Sequence, residues 1–320
     1  MRAWVSNKYF WERLISDTLQ EILHNVDFAS QWDDAHFVWK PTLKGFDQLE
    51  RLLACNGIVN HLMHNNFLTM KDNLAHTLTK HSKQHLAPPT YTLKNPHRPF
   101  DLALQIDHMM TQGNQSLIAK PATAFEGRGI IVASSPQRMM QQLQDFRVPD
   151  RMVVQELLPP CLHHGRKFDL RALVLVDQRK RVFMYSSVSA RVAREKYSID
   201  IHRSVVTNVT EGSGVVFLEE LDVPSDMHQR IKDIVSQLFS KQIVDELAGE
   251  YCDCTYEVFG LDFQLTPYNA LYLLEVNENP GLQCGVNDAV DADRRFAIRE
   301  MLQIVLNQRG TITRWEQVHN

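Results

Sequence analysis

At 320 residues, 44% hydrophobic and 22% charged, the chain has length for one large or two to three small domains and the composition of an ordinary globular protein. Its net charge of −4 excludes a global basic field that would gather nucleic acid or an acidic polymer. No apolar run reaches the length of a membrane span, and no signal peptide precedes the first periodic segment. With these features, the scattered cysteines Cys55, Cys161, Cys252, Cys254 and Cys284 are expected as reduced thiols of a soluble cytoplasmic protein.

Residues 1–80 read as mainly helical: Trp4, Trp11, Leu14, Ile15, Leu19, Ile22 and Leu23 recur at the spacing of a packed amphipathic helix. The polar, proline-rich stretch 85–100 predicts a connector. Between 115 and 160, the strands SLIAKP, GIIVASS and RMVVQELL alternate with a helix, PQRMMQQLQDF. Lys167 to Val176 and Arg181 to Ser189 predict an antiparallel pair joined at Asp177-Gln178. Ser225 is placed to cap a long helix that buries Ile231, Ile234, Val235, Leu238, Phe239 and Leu247 and ends near Gly249. The stretch 256–282 predicts a β-hairpin turning at Thr266-Pro267-Tyr268-Asn269. A final helix carries Phe296, Ile298, Met301, Leu302, Val305 and Leu306 and stops near Gly310. The pattern is α+β, antiparallel sheets flanked by helices, and not a doubly wound parallel sheet.

The hairpin is the most informative segment. A loop centred on Pro267 to Ala270 places Asp262 opposite Glu275, with Asn277 on the same face two residues on. Facing carboxylates cost free energy in a plain sheet, and a divalent cation removes that cost; Asp, Glu and Asn oxygens are what Mg²⁺ prefers. A one-residue slip separates the pair, and the face then reads as simply solvated. Upstream, Gly127 and Gly129 let backbone N–H groups approach an anion between two strands, with Lys120 in reach, although most Gly-x-Gly steps are only tight hairpin turns. Lys167, Asp169 and Arg171 share one face of a strand, as a solvated ladder or as a cleft wall where Arg171 could fork onto an anion. The strand 152–158 breaks at Pro159-Pro160, as in a linker or along an adenine edge. His61 and His64 stand at a metal-pair spacing with no third ligand nearby, and Cys252-Asp253-Cys254 lacks the paired spacing of a zinc site.

Taken in order, Lys120-Pro121, Gly127-Arg128-Gly129-Ile130, Val154-Gln155-Glu156, the run from Arg166 to Arg171, Gly260-Leu261-Asp262-Phe263 and Leu274-Glu275-Val276-Asn277 with Pro280 resemble the tubulin–tyrosine ligase family of ATP-grasp enzymes. Val59-Asn60-His61, Leu68 to Leu74 and Pro89-Thr90-Tyr91 extend the likeness towards the N-terminus. The resemblance implies an ATP-grasp fold with an N-terminal lobe (1–85), a central lobe with a phosphate-covering flap (86–157) and a C-terminal catalytic lobe (158–320). It implies an ATP- and Mg²⁺-dependent ligase that forms an amide through an acyl phosphate, adding an amino acid to a protein or peptide acceptor such as a tubulin tail.

By the same resemblance, Asp262, Glu275 and Asn277 hold one or two Mg²⁺, while Lys120, Lys167, Asp169, Asn208 and the flap glycines Gly127 and Gly129 attend the nucleotide. Gln155, Glu156 and Leu158 lie along the base. Lys71, Arg171 and Arg191 face substrate, and Arg171, Glu275 and Lys120 carry the chemistry. One departure stands in the flap, where Glu126 replaces the family's usual basic residue. It favours a second reading, an ATP-binding scaffold without turnover; a third is an ATP-grasp ligase acting on small molecules. Neither nucleic acid nor membrane is expected as a partner.

Overall fold

The computed structural model describes residues 1–6, 11–23, 25–40, 57–94, 116–124, 127–145, 151–198, 205, 207, 214–282 and 285–319. Within them the chain order is β1 (Arg2–Val5), α1 (Trp11–Ile22), β2 (Asp27–Phe28), β3 (Phe37–Trp39), β4 (Ile58–Asn60), α2 (Asn66–Thr69), α3 (Lys71–Lys80) and β5 (Thr90–Lys94). There follow β6 (Leu117–Pro121), β7 (Ile131–Ala133), α4 (Pro136–Asp145), β8 (Arg151–Glu156), β9 (Leu162–His163), β10 (Arg166–Val176), β11 (Val182–Tyr185) and β12 (Ser189–Val192). The last elements are β13 (Gly214–Phe217), α5 (Met227–Leu238), α6 (Lys241–Ala248), β14 (Thr255–Leu265), β15 (Leu271–Asn277), α7 (Asp288–Val305) and β16 (Trp315–His319). None of the described helices is long and apolar enough to cross a membrane.

The small sheet runs β5-β8-β6-β7, antiparallel throughout. Its alternation sorts residues by face: Leu117, Ala119, Met152 and Val154 pack with Met139 and Leu143 of α4. Ile118, Lys120 and Gln155 are left for the opposite face. The large sheet is built on two eleven-residue strands, β10 and β14, paired antiparallel with Arg171 opposite Asp262. On one of its faces Phe168, Leu170, Ala172, Val174, Phe259, Leu261, Phe263 and Leu265 form a continuous core with α5 and α6.

The other face changes character along its length. Leu173, Leu175, Tyr256 and Val258 are covered by α1 and α7, whereas Lys167, Asp169 and Asp262 line an open cleft. The point where apolar residues give way to charged ones on adjacent strands marks where helix cover stops and the cleft begins.

The architecture is α+β with antiparallel sheets, with three local departures from the sequence expectation. Residues 1–80 contribute four short strands as well as helices, paired parallel through β4 onto β14, and Trp4 lies on β1. The helix expected from Ser225 to Gly249 breaks at Phe239-Ser240, where Ser240 takes the extended ψ of 154°. The strand expected over 181–189 splits, so that β11 pairs the far end of β10 and β12 the cleft end. Cys161 and Cys254 carry free thiols; Cys55, Cys284 and the side chains of Trp11 and Cys252 lie outside the described residues.

Candidate active site

The hairpin register is the one that gathers the carboxylates. Gly260 pairs with Asn277 and Asp262 with Glu275, after which the register shifts and Phe263 pairs with Leu273. Leu274 is therefore an extra residue in β15, a bulge that turns its side chain into the cleft beside Glu275. Across the sheet the row continues, since Arg171 faces Asp262 and Asp169 faces Arg191. Four adjacent strands thus present Arg191, Asp169, Arg171, Asp262 and Glu275 around one floor.

Above that floor stands the small sheet, with Ile118, Lys120 and Gln155, and the first turn of α3 closes one side with Lys71. The space between these walls, open to solvent on one side, is about 830 Å³. Lys120 donates to Gln155 Oε1 at 2.8 Å, and Gln155 in turn donates to the Thr90 hydroxyl at 2.8 Å. The Lys71 ammonium lies 3.4 Å from Glu275 Oε2 and donates to the Ala124 carbonyl at the base of the flap at 3.0 Å. Asp169 accepts from Lys167 and from the Thr207 hydroxyl. Gln264 donates to the Leu158 carbonyl at 2.9 Å.

Asp262 is the electrostatic centre. Only 1% exposed, it accepts from Arg171 Nε and, at 2.9 Å, from Arg171 Nη2, while Arg191 Nη2 lies 2.6 Å from the same Oδ2. Burial opposes its ionisation most strongly, but the two guanidinium groups outweigh burial and hold the carboxyl well below the usual range. Asn277 Nδ2 reaches Asp262 Oδ2 at 3.3 Å and Glu275 Oε1 at 3.4 Å. Burial pushes the Lys120 ammonium down to about 8, with Glu275 opposing the shift and Lys71 and Lys167 adding to it. Arg191 Nε is a buried donor that finds no hydrogen-bond partner among the described residues.

Of the residues singled out from sequence, Lys71, Lys120, Gly127, Gln155, Glu156, Leu158, Lys167, Asp169, Arg191, Asp262 and Glu275 line this one cleft. Asn277 borders it through Asp262 and Glu275. Arg171 lies behind Asp262, packed against Gly260. Gly129 sits in the flap turn at φ +71°, pressed against Pro121 rather than facing the cleft. Asn208 and Glu126 lie outside the described residues. His61 and His64 do not converge: His61 is buried against Glu257, and His64 stacks on Phe67 at 5.2 Å.

Sequence reading gave Gln264 and Ile118 no place in the site and took Leu274 and Gly260 only as parts of motifs. Gln264 and Gly260 were findable, because each stands two residues from Asp262 and so shares its face.

A sequence profile of the Tubulin-tyrosine ligase family matches residues 50–209, half of the chain. The chain belongs to the tubulin-tyrosine ligase family. A profile of the YheC/D-like ATP-grasp family matches residues 132–305, which contain the hairpin and the floor of the cleft. Among curated relatives of this tubulin-tyrosine ligase family member, a probable alpha-tubulin polyglutamylase, Ttll1 of Tetrahymena thermophila, is 24% identical over 78% of this chain and 72% of its own length. Human tubulin polyglutamylase TTLL13 is 24% identical over 91% of this chain, and Caenorhabditis elegans tubulin polyglutamylase ttll-4 is 25% identical over 73%. The chain spans only 38% and 43% of the length of these two. Among solved structures, the C-terminal domain of K. lactis Pby1, an ATP-grasp enzyme interacting with the mRNA decapping enzyme Dcp2, superposes with a TM-score of 0.71 at 16% identity. That match covers 100% of this chain and 99% of the Pby1 chain. The fold is ATP-grasp.

Proposed function

We propose that this protein is an ATP- and Mg²⁺-dependent carboxylate–amine ligase that adds an amino acid to a protein or peptide acceptor. The observation that carries this reading is the convergence of Asp262, Glu275 and Asn277 at one end of a cation-rich cleft. Six cations line or border the cleft (Lys71, Lys120, Arg128, Lys167, Arg171, Arg191) against four carboxylates (Glu156, Asp169, Asp262, Glu275), so the cleft carries an excess of positive charge that a polyphosphate would match.

The donor set fits magnesium: hard oxygens from two carboxylates and an amide lie together, with the remaining ligands left for phosphate and water. Mg²⁺ is commonly held by one or two carboxylates together with substrate phosphates and water, which this donor set leaves room for. Magnesium bound by Asp262, Glu275 and the Asn277 amide oxygen would supply charge neutralisation between neighbouring phosphoryl groups. The amide assigned as Nδ2 towards the carboxylates would then turn its oxygen inward.

The chain's own residues would do the rest. Lys120 and Lys167 neutralise phosphate oxygens from above and below, and Asp169 with Thr207 holds Lys167 in place. Gln155, Glu156 and Leu158 lie along the base, between the apolar walls Ile118 and Leu274. A substrate carboxylate oxygen attacks the terminal phosphorus and ADP departs. The amine of the second substrate then attacks the acyl carbon, inorganic phosphate leaves and the nitrogen gives up a proton. Arg191, with a free Nε donor in the cleft, would orient the carboxylate through both steps, while Arg171 keeps Asp262 aimed. The names of its relatives suggest tubulin as acceptor and glutamate as the added amino acid.

A second reading, a nucleotide-binding scaffold without turnover, is favoured by the engagement of both Asp262 oxygens with arginines. The two are separated by ADP release from purified protein with ATP and Mg²⁺, with and without mixed amino acids and tubulin, wild type beside Glu275→Gln, with products weighed by mass spectrometry. Release stimulated by amino acids and abolished in the variant is the outcome expected of the ligase. Nucleotide binding with release no greater than in the variant would establish the scaffold instead.

A further inference from the structure

A second cluster of charged and polar groups lies buried outside the cleft. His61 is fully buried and follows β4 at φ +143°, an angle that residues with a β-carbon rarely adopt. Its two ring nitrogens both face acceptors: Nδ1 is 2.8 Å from Glu257 Oε1, and Nε2 is 2.7 Å from the Lys40 carbonyl. Asn60 Nδ2 lies farther off, 3.3 Å from Nε2, and donates to the same carbonyl at 2.6 Å, so the shorter contact of Nε2 with that carbonyl makes the ring nitrogen a donor. A ring between two acceptors carries two protons, and the pair is an imidazolium against a carboxylate. Consistent with this, Glu257 and Glu278 outweigh burial and raise the His61 pKa.

Glu257 takes two further donors on Oε2, the Leu62 N–H and Asn65 Nδ2, each at 3.0 Å. Asn65 uses the same Nδ2 on Glu278 Oε2 at 3.0 Å. Two features mark this arrangement as more than filler. Asn65 stands at the N-cap position of α2, where an asparagine ordinarily caps, yet its side chain makes no cap hydrogen bond. Moreover, it bridges two segments that end in the cleft. Glu278 directly follows Asn277, and the chain after Asn65 runs through α2 to Lys71, whose ammonium meets Glu275.

We propose that Asn65 is a positioning residue for the cleft: anchored by the buried His61–Glu257 pair, it ties the strand end carrying Glu275 and Asn277 to the segment carrying Lys71. The role rests on the reading of the cleft as a magnesium–nucleotide site. The amide offers one proton to the core of the large sheet and one to the end of β15, so the spacing of Lys71, Glu275 and Asn277 is set from beneath. Glu278 is half-buried, whereas Glu257 is fully buried.

The test compares the wild-type chain with Asn65→Leu, Glu278→Leu and Glu278→Gln. Hydrogen exchange is followed in the free protein, and adenylyl imidodiphosphate binding is measured with Mg²⁺ and with EDTA. Both leucine variants are expected to exchange about tenfold faster at residues 275–278 while the rest of β14 keeps its protection. They are also expected to lose about tenfold of the magnesium-dependent gain in nucleotide affinity, with affinity in EDTA unchanged. Glu278→Gln keeps an acceptor for Asn65 and is expected to behave as wild type. Uniformly faster exchange, or a magnesium-dependent gain that survives in Glu278→Leu, overturns the positioning role. If Asn65→Leu does not fold, Glu278→Leu alone decides. A wild-type affinity indifferent to magnesium overturns the reading of the cleft, while selective exchange at 275–278 still upholds the tie.

Discussion

A β-carbon at position 260 would stand 2.6 Å from Pro280 Cβ and 2.9 Å from Arg171 Nη1. Only glycine leaves room there for the guanidinium that grips Asp262, so Gly260→Ala is expected to displace Arg171 and lower turnover by about 10²-fold, the scale of losing one preorganised charge contact. Steady-state kinetics beside a melting curve checks this; full activity would mean that the Arg171–Asp262 bond is dispensable. Lys120 gives a pH prediction. Burial holds its folded pKa near 8 against 10.5 for an ordinary lysine, so the unfolded chain binds more protons between those values and stability contributed here rises with pH across that window. Phosphate oxygens favour the charged form, so nucleotide affinity is expected to fall by up to about tenfold per pH unit above the folded value. Lys120→Arg, charged throughout, flattens that profile in calorimetric titrations, and an unflattened profile would place the titration elsewhere. At this scale the sequence was legible where two-residue alternation applies, as for Lys167, Asp169 and Arg171. What those groups bond to was not, because Arg171 meets a strand 91 residues away.

Among elements, the β14–β15 hairpin was readable because its turn residues fix the pairing near the tip. The bulge at Leu274 escaped, since nothing in an apolar run distinguishes a paired leucine from an extra one. The break between α5 and α6 was hidden for a related reason: Val235, Phe239, Ile243 and Leu247 keep a four-residue spacing across it. Strands β1 to β4 have two to four residues each, too few for alternation to register. The flap turn offers an element-level test. A side chain at Gly129 would meet Pro121 Cγ at 2.9 Å in a left-handed conformation. Gly129→Val is therefore expected to weaken nucleotide binding by about tenfold at a stability loss of about 1–3 kcal/mol. Equal affinity for nucleotide in the variant would remove the turn from the binding reading.

For the whole molecule, a net charge of −4 conceals a cleft in which cations outnumber carboxylates, because composition averages over a surface that the fold segregates. The joint order of weak motifs pointed to the ATP-grasp fold; the parallel seam between β4 and β14, which joins the N-terminal strands to the large sheet, has no local signature. Where that seam ends, the His61–Glu257 pair is buried. His61→Leu leaves the Glu257 carboxylate without its countercharge and is expected to cost about 3–5 kcal/mol by chemical denaturation. The His61 pKa is raised, so its contribution is complete below the unfolded value near 6.5 and is lost as pH rises through the folded one. Wild-type stability should accordingly decline with pH above about 6.5 by a component missing in His61→Leu, and parallel profiles would show the ring to be neutral.

The extra residue at Leu274 also governs how the hairpin tolerates changes of length. It absorbs the offset between the tip and Glu275, so the geometry of the Asp262–Glu275 pair is insulated from whatever happens beyond it. Tyr268, 86% exposed at the tip, marks the point where residues gained or lost, or an inserted label, are expected to leave the Asp262–Glu275 register in phase.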